Sequence, residues 1–329
     1  MSTSIPSGWP FEASPFHRGE RLVQEKLGVR AQMEARARIG IRDFLPEQHR
    51  AFFAQLPLVL VGSVDADGQP WASVLAAPPG FMRSPDPRHL DIRAGPLRGD
   101  PLAGALTPGA PIGLLGIEAH TRRRNRVSGS VEQCDADGFS LRVTQSFGNC
   151  PKYIQARQAL PLEATEGEGG VPPAPVQTSN HLTPPMRALI ARADTYFIAS
   201  AYGGEEADDE LRRGVDVSHR GGKPGFVKVG DDMTLSAPEF VGNNFYNTTG
   251  NLVLNPRAGL LFIDVDNGDL LYLAARAEVV WDGPEVDGFA GAQRLLRFRL
   301  VQAILVPRSL PLRWSEAEQS PYLAPTGHW

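Results

Sequence analysis

One hydrophobic pattern is written twice along this chain. Leu45-Pro-Glu-Gln-His-Arg-Ala-Phe-Phe-Ala-Gln-Leu-Pro-Leu-Val-Leu-Val-Gly-Ser-Val64 aligns without a gap on Leu182-Thr-Pro-Pro-Met-Arg-Ala-Leu-Ile-Ala-Arg-Ala-Asp-Thr-Tyr-Phe-Ile-Ala-Ser-Ala201, an offset of 137. Each copy reads as a short amphipathic helix running into a buried strand. After the first copy, β-rich runs separated by Gly, Pro and Asp turn signals predict strands over 58–64, 71–75, 81–83, 89–93, 112–118, 125–133 and 140–144. After the second, strands are predicted over 195–201, 215–218, 226–229, 234–237, 258–264, 269–281 and 296–306. Many short strands at close spacing with few helices indicate a mainly β protein built of antiparallel barrels. Before the first copy, residues 1–44 form an N-terminal helical extension, with the helix broken near Gly28. The divisions that follow are a first repeat over 45–160, a Gly/Pro/Glu-rich linker over 161–180 and a second repeat over 181–329.

A second correspondence shows where the repeats diverge. Ser73-Val-Leu-Ala-Ala-Pro-Pro-Gly-Phe-Met82 lies over Ser218-His-Arg-Gly-Gly-Lys-Pro-Gly-Phe-Val227, now offset by 145. Val74, Leu75 and Pro78 correspond to His219, Arg220 and Lys223. Arginine and lysine beside glycines supply charge-assisted donors and close backbone approach, as a phosphate requires. Gly242-Asn-Asn-Phe-Tyr-Asn-Thr-Thr-Gly-Asn251 follows, dense in amides and hydroxyls and placed to open a helix whose N-terminus could seat an anion. The plainer alternatives are a solvated hairpin for the first stretch and Asx-turn chemistry for the second. The one-sided loss of polar groups favours a pseudo-dimer with one working anion site, its phosphate side in the second repeat.

The first repeat ends in Gln145-Ser-Phe-Gly-Asn-Cys-Pro-Lys-Tyr-Ile-Gln155, an irregular path that presents Lys152 and Tyr153. Cys150 reads as a small buried hydrophobe. The basic run Arg122-Arg-Arg-Asn-Arg126 enters a strand, and most of its arginines read as solvated. A net charge of −4 over 329 residues argues against nucleic acid as a partner. Two cysteines and seven scattered histidines give no metal-ligand spacing. No secretory signal or membrane-length apolar run is visible, and no GxGxxG follows a strand, so a cytoplasmic protein without a Rossmann site and without a membrane partner is expected.

The Ser218–Val227 segment, Gly-Asn-Asn-Phe-Tyr-Asn-Thr with Asn255-Pro-Arg-Ala-Gly-Leu-Leu-Phe262, and Asn149-Cys-Pro-Lys-Tyr-Ile154 are together similar to recurring motifs of one superfamily. They resemble the pyridoxamine 5′-phosphate oxidase-like, FMN-binding split barrels, and most closely the tandem bacterial members. The resemblance covers roughly residues 45 to 314 and implies two split barrels packed as an intramolecular pseudo-dimer, with FMN between them. Carried over, Ser218, His219, Arg220, Lys223, Asn243, Asn244, Asn247 and Thr248 would hold the phosphate and ribityl chain. Gln145, Ser146, Asn149, Lys152 and Tyr153 would cover the cofactor, with Tyr153 and Phe147 against its ring. Where relatives commonly carry an arginine in the stretch matching 242–245, this chain has Asn243, Asn244 and Phe245. The arginine-and-histidine signature of vitamin B6 oxidases is also absent. Leu310-Pro-Leu-Arg-Trp314 stands near the end instead, and could cover the degenerate site. The resemblance thus implies an FMN-dependent oxidoreductase acting on a small-molecule substrate other than pyridoxamine phosphate, or a flavin carrier served by an electron-donor reductase. A scaffold for another ligand, such as a deazaflavin or, least favoured, haem, is a third alternative. The chain is expected as a monomeric pseudo-dimer or a homodimer.

Overall fold

A computed structural model describes residues 8–161, 174–204, 212–231 and 233–329. Two helices, α1 (Arg18–Lys26) and α2 (Arg30–Gly40), precede the first repeat. That repeat holds α3 (Glu47–Ala54), β1 (Leu58–Val64), β2 (Pro70–Ala76), β3 (Met82–Arg83), β4 (His89–Ile92), β5 (Pro111–Glu118), β6 (Arg123–Asp135) and β7 (Gly138–Asn149). Two short strands follow, β8 (Ala159–Pro161) and β9 (Gln177–Ser179). The second repeat holds α4 (Pro184–Arg192), β10 (Thr195–Tyr202), β11 (Gly214–Gly221), β12 (Lys228–Val229), β13 (Thr234–Glu239), α5 (Asn247–Leu254), β14 (Arg257–Ile263), β15 (Leu270–Val280), α6 (Pro284–Asp287), β16 (Arg294–Val306) and β17 (Leu312–Trp314). Among the described residues, no helix is long and apolar enough to cross a membrane.

The duplication is visible in the topology. The first sheet runs β2-β1-β5-β6-β7-β4-β3 and the second β11-β10-β14-β15-β16-β13-β12, the same order strand for strand. The registers agree as well. Val61 lies opposite Ser73, and Ile198 opposite Ser218, so the offsets of 137 and 145 hold in space. Both are large antiparallel sheets, as two split barrels require.

Why β1 and β10 are continuously apolar follows from their position. Alternate residues of a strand face opposite sides. Val59 and Val61 fill the first unit's core, while Leu58 and Leu60 face a core shared with the second unit. In β10, Tyr196 and Ile198 face inward and Phe197 and Ala199 face the shared core. Both faces are buried, so neither strand shows polar alternation. Gly113 and Gly259, at equivalent positions, let the units meet. A Cβ on Gly113 would overlap the Val215 carbonyl, and one on Gly259 the Pro70 carbonyl.

The N-terminal extension packs on the second repeat: α1 crosses α5 where Gly19 lies against the backbone of Gly250. Phe16, Met33, Ala37 and Ile41 pack with Phe147 and Phe245 in one apolar cluster. The expected linker over 161–180 includes short strand segments. Its end forms β9, which pairs with β16, and β8 pairs with β17 in a ribbon joining the units. Residues 162–173 of the expected linker lie outside the described residues.

Candidate functional site

Ten of the predicted residues line one polar cavity of about 120 Å³ between the units: Ser218, His219, Arg220, Asn243, Asn244, Asn247, Thr248, Asn149, Lys152 and Tyr153. β11 brings the first three. The 242–246 loop and the start of α5 bring the next four, with Asn244 and Tyr246 both at positive φ (64° and 63°). Asparagine tolerates that conformation well, which is why the loop can turn sharply into the helix. Tyr246 gives α5 no side-chain cap, so its first amides are left without a capping side chain. The loop after β7 brings Asn149, Lys152 and Tyr153. Its carbonyl at Tyr153 presses on Gly221 where any Cβ would collide, and Gln155 Nε2 donates to the Gly222 carbonyl (3.1 Å). Asn243 Nδ2 reaches Asn149 Oδ1 across the unit boundary (3.5 Å).

Three predicted residues lie elsewhere, for physical reasons. Lys223 extends from its turn to donate to the Thr326 carbonyl (2.5 Å), so it fastens the C-terminal tail and does not join Arg220 at one anion. Gln145 Nε2 donates to the Pro15 carbonyl (3.1 Å) and Ser146 Oγ to the Phe44 carbonyl (2.5 Å). Both therefore hold the N-terminal extension, and neither lines the cavity. Phe147 is buried against Phe245 (5.8 Å between ring centres), not set at a ring-binding surface.

The arrangement contains charges that motif reading missed. Arg124, Arg126 and Arg294 line the cavity with Arg220 and Lys152, against the single lining carboxylate of Glu239. Glu239 receives Arg220 (2.7 Å), Arg294 (3.4 Å) and Thr249 Oγ1 (2.9 Å). Those partners hold its carboxyl below the usual range despite burial. Arg126, reaching across from β6, pairs with Asp216 (3.0 Å) and donates to Ser218 Oγ (2.5 Å), which also receives Thr248 Oγ1 (3.0 Å). Arg124 has no carboxylate partner among the described residues and donates to the Cys150 carbonyl (2.7 Å). Burial, with Arg126 and Arg220 alongside, pulls its guanidinium down to about 10. His219 is held neutral, its pKa well below the usual value, by burial and by Arg124, Arg220 and Arg157. The signal for Arg124 and Arg126 was their spacing of two at a strand start, which puts both on one face. Glu239 and Arg294 carried no local signal.

The equivalent place in the first repeat is closed. Ser73 Oγ donates to Asp100 Oδ1 (2.6 Å), and Asp100 also accepts from the Leu102 amide (2.9 Å). Arg126 lies opposite Leu115 and Tyr272 opposite Leu261, so Tyr272 stands where the other site has Arg126 and Leu270 where it has Arg124. Burial pushes Asp100 up to about 6. An acid, a phenol and aliphatic side chains thus replace the donors that an anion needs. Leu310 and Leu312 belong to the shared core, as do Leu270 and Tyr272.

Comparison with known proteins gives one family match. Residues 45–169 match the family model described as pyridoxamine 5′-phosphate oxidase. No curated protein matches the chain. Among solved structures, a HupZ variant from group A Streptococcus is similar at 13% identity, covering 38% of this chain and 99% of that one, with a TM-score of 0.30. A candidate pyridoxamine 5′-phosphate oxidase of Lactobacillus delbrueckii is similar at 17% identity, covering 38% and 94%, with a TM-score of 0.30. An F420 reductase is similar at 16% identity, covering 37% and 91%, with a TM-score of 0.23. Residues 45–169 thus belong to the pyridoxamine 5′-phosphate oxidase-like split-barrel family, and the second unit repeats the strand order of that region.

Proposed function

We propose that the protein binds FMN, one per chain, with its phosphate end in the polar cavity between the units and the rest of the cofactor extending out of it, and works as a flavin-dependent oxidoreductase. The observation that carries this reading is the charge imbalance: five cationic side chains line the cavity against one carboxylate, beside a helix start with no side-chain cap. Charged groups crowded in a low-dielectric site favour a bound counter-charge. A phosphate monoester supplies it. Arg124, Arg126, Arg294 and the first amides of α5 would hold the phosphate end, replacing the arginine absent from 242–245. Asn243, Asn247 and Thr248 offer amide and hydroxyl partners for a polyol chain. Tyr153 and the neutral His219 would border the ring from opposite units. Bound flavin supplies hydride or electron transfer, while the protein orients it and keeps water away. The closed twin site explains a stoichiometry of one.

The test is an absorbance spectrum of the purified protein, with the released ligand identified by mass. A flavin spectrum near one FMN per chain is expected, and Arg124→Gln should weaken FMN by on the order of 10–100-fold, the loss of one charge-assisted hydrogen bond. A colourless protein that takes up no added FMN would refute the reading. Reduction of the bound flavin by a nicotinamide donor, followed by reoxidation with a small-molecule acceptor, would separate the enzyme from a passive carrier.

A further inference from the structure

A second and larger cavity, about 440 Å³, lies between the units, and His219 is common to its lining and to that of the anion site. Both repeats build it from equivalent positions. Leu60 pairs with Leu115 as Phe197 pairs with Leu261, and two residues beyond those partners Ile117 and Ile263 line the same space. Leu58 and Trp314 extend this apolar wall, which belongs to the core shared by the units. Protein cores tolerate few voids larger than a water molecule, whereas about 300–1,000 Å³ is the range of small-molecule sites.

The charges of the lining decide what kind of molecule fits. It carries four carboxylates, Glu118, Asp194, Asp264 and Asp266, against two guanidiniums, Arg157 and Arg192. Arg157 pairs with Asp194 and Arg192 with Asp264, which leaves Glu118 and Asp266 and a net charge of −2. Glu118 accepts from two neutral donors, Gln55 Nε2 (2.7 Å) and Thr121 Oγ1, and neither it nor Asp266 has a cationic partner among the described residues. Asp266 is exposed and Glu118 half-buried, whereas Leu58, Leu60 and Phe197 are buried, so the unbalanced charge stands at the mouth and the apolar wall inside. We infer that this cavity is a binding site for an organic cation, with an apolar body seated between the units and an ammonium or amidinium group at the mouth. A phosphate or carboxylate would meet uncompensated negative charge, so the cavity is not a second seat for the anion. A hydrated metal ion would have to shed water against aliphatic walls. Trp314 adds an aromatic ring of the kind that attracts ammonium groups. Use of such a cation as a flavin substrate rests on the FMN reading; its binding does not.

The experiment titrates auramine O, a cationic diarylmethane dye that fluoresces when held rigidly, into the full chain at low salt while following FMN content. His120 is exposed in the same lining, so the titration is run at pH 8, above the range in which an imidazole ordinarily carries charge. Saturable binding at one site is expected, weakened several-fold by high salt. The anionic dye anilinonaphthalene sulfonate should bind about tenfold more weakly or worse. Glu118→Gln combined with Asp266→Asn, which removes the net charge and keeps the shape, should weaken auramine O by on the order of tenfold. Ile263→Trp, or Ile117→Phe from the other unit, should fill the cavity and weaken it by on the order of tenfold or more, with circular dichroism and FMN content unchanged. Absence of auramine O binding, or binding indifferent to both filling variants in folded protein, overturns the site. Binding indifferent to the neutral pair, or an anionic dye held as tightly, overturns the cationic class. Competitive displacement of auramine O by FMN overturns the proposal too, because the cavity would then be the flavin's own seat. Auramine O binding in a chain that never takes FMN upholds the site and sinks the flavin reading alone.

Discussion

Glu20 ties the N-terminal extension to the candidate site, and its titration gives a sharp test of that packing. Its carboxyl is buried where α1 crosses α5, accepting from the His17 amide (2.9 Å) and from Asn247 Nδ2. Burial, with Asp216 adding repulsion, pushes its pKa from 4.5 to about 8. The folded chain therefore keeps a proton that the unfolded chain releases between those values. The stability linked to that proton is fully present below about pH 4.5 and is lost as pH rises through 8. Between pH 6 and pH 9 the loss is about 3 kcal/mol, two units of titration at about 1.4 kcal/mol per unit. Glu20→Gln keeps an acceptor for His17 and never ionises. Urea unfolding at pH 6, 7, 8 and 9 should therefore show a falling stability for the parent chain and a much flatter one for the variant. The variant should be the more stable of the two at pH 9. Identical pH slopes, or a variant weaker than the parent at pH 9, would show that Glu20 is hydrated and that α1 does not seal α5. The same ionisation puts negative charge beside Asn247, so FMN affinity should decline over the same range.

The remaining predictions concern other parts of the molecule. Lys223→Ala should leave FMN retention unchanged and loosen the C-terminal tail, detectable as faster amide exchange near Thr326; loss of FMN would place Lys223 at the anion after all. Gly113→Ala and Gly259→Ala should each lower stability by about 1–3 kcal/mol in chemical unfolding, because each adds a Cβ against a fixed carbonyl of the other unit. A neutral result at both would contradict the inter-unit packing. His49 is held at about 4, chiefly by burial and also by Arg42 and Arg123. Its contribution is present above about pH 6.5 and is lost as pH falls toward 4, by up to about 3 kcal/mol. His49→Gln should flatten that acid limb, and an unchanged limb would mean the imidazole protonates freely in the folded chain.

Most of the fold was legible because it is periodic and repeated. The run from Leu58 to Val64 and its copy from Thr195 needed only the recognition that both strand faces are buried. The divergence at Val74 and His219 was also readable, since one alignment fixes which side chains share a register. The site was legible where it is made of consecutive residues, as in the 242–248 loop. It was not legible where tertiary structure decides direction. Lys223 sits three residues from Arg220, yet the turn aims it at Thr326. Gln145 and Ser146 needed the extension in place before their partners existed. Arg124 and Arg126 looked like solvated surface because an exposed arginine and one buried against a neighbouring unit have the same sequence signature.

The asymmetry between the units explains how a duplicated barrel can specialise. A symmetric pair would carry two equivalent anion sites, each with the donors of one unit completed by the other. Here Arg126 crosses to Ser218 and Asp216, while its counterpart Tyr272 lies beside Asp100. Replacing a guanidinium by a phenol beside a carboxyl removes the charge that would hold a phosphate and fills the space with carbon. In the closed site Ser73, Asp100 and the Leu102 amide bond one another. In the open site Arg124 donates to a carbonyl, and α5 starts without a side-chain cap. One half of the repeat thus gains rigidity from its own hydrogen bonds and supports the interface. The other gathers five cationic side chains around its cavity, Arg124 among them with a carbonyl as its acceptor. Fusing the two barrels in one chain is what permits this, because a homodimer must place any substitution in both sites at once.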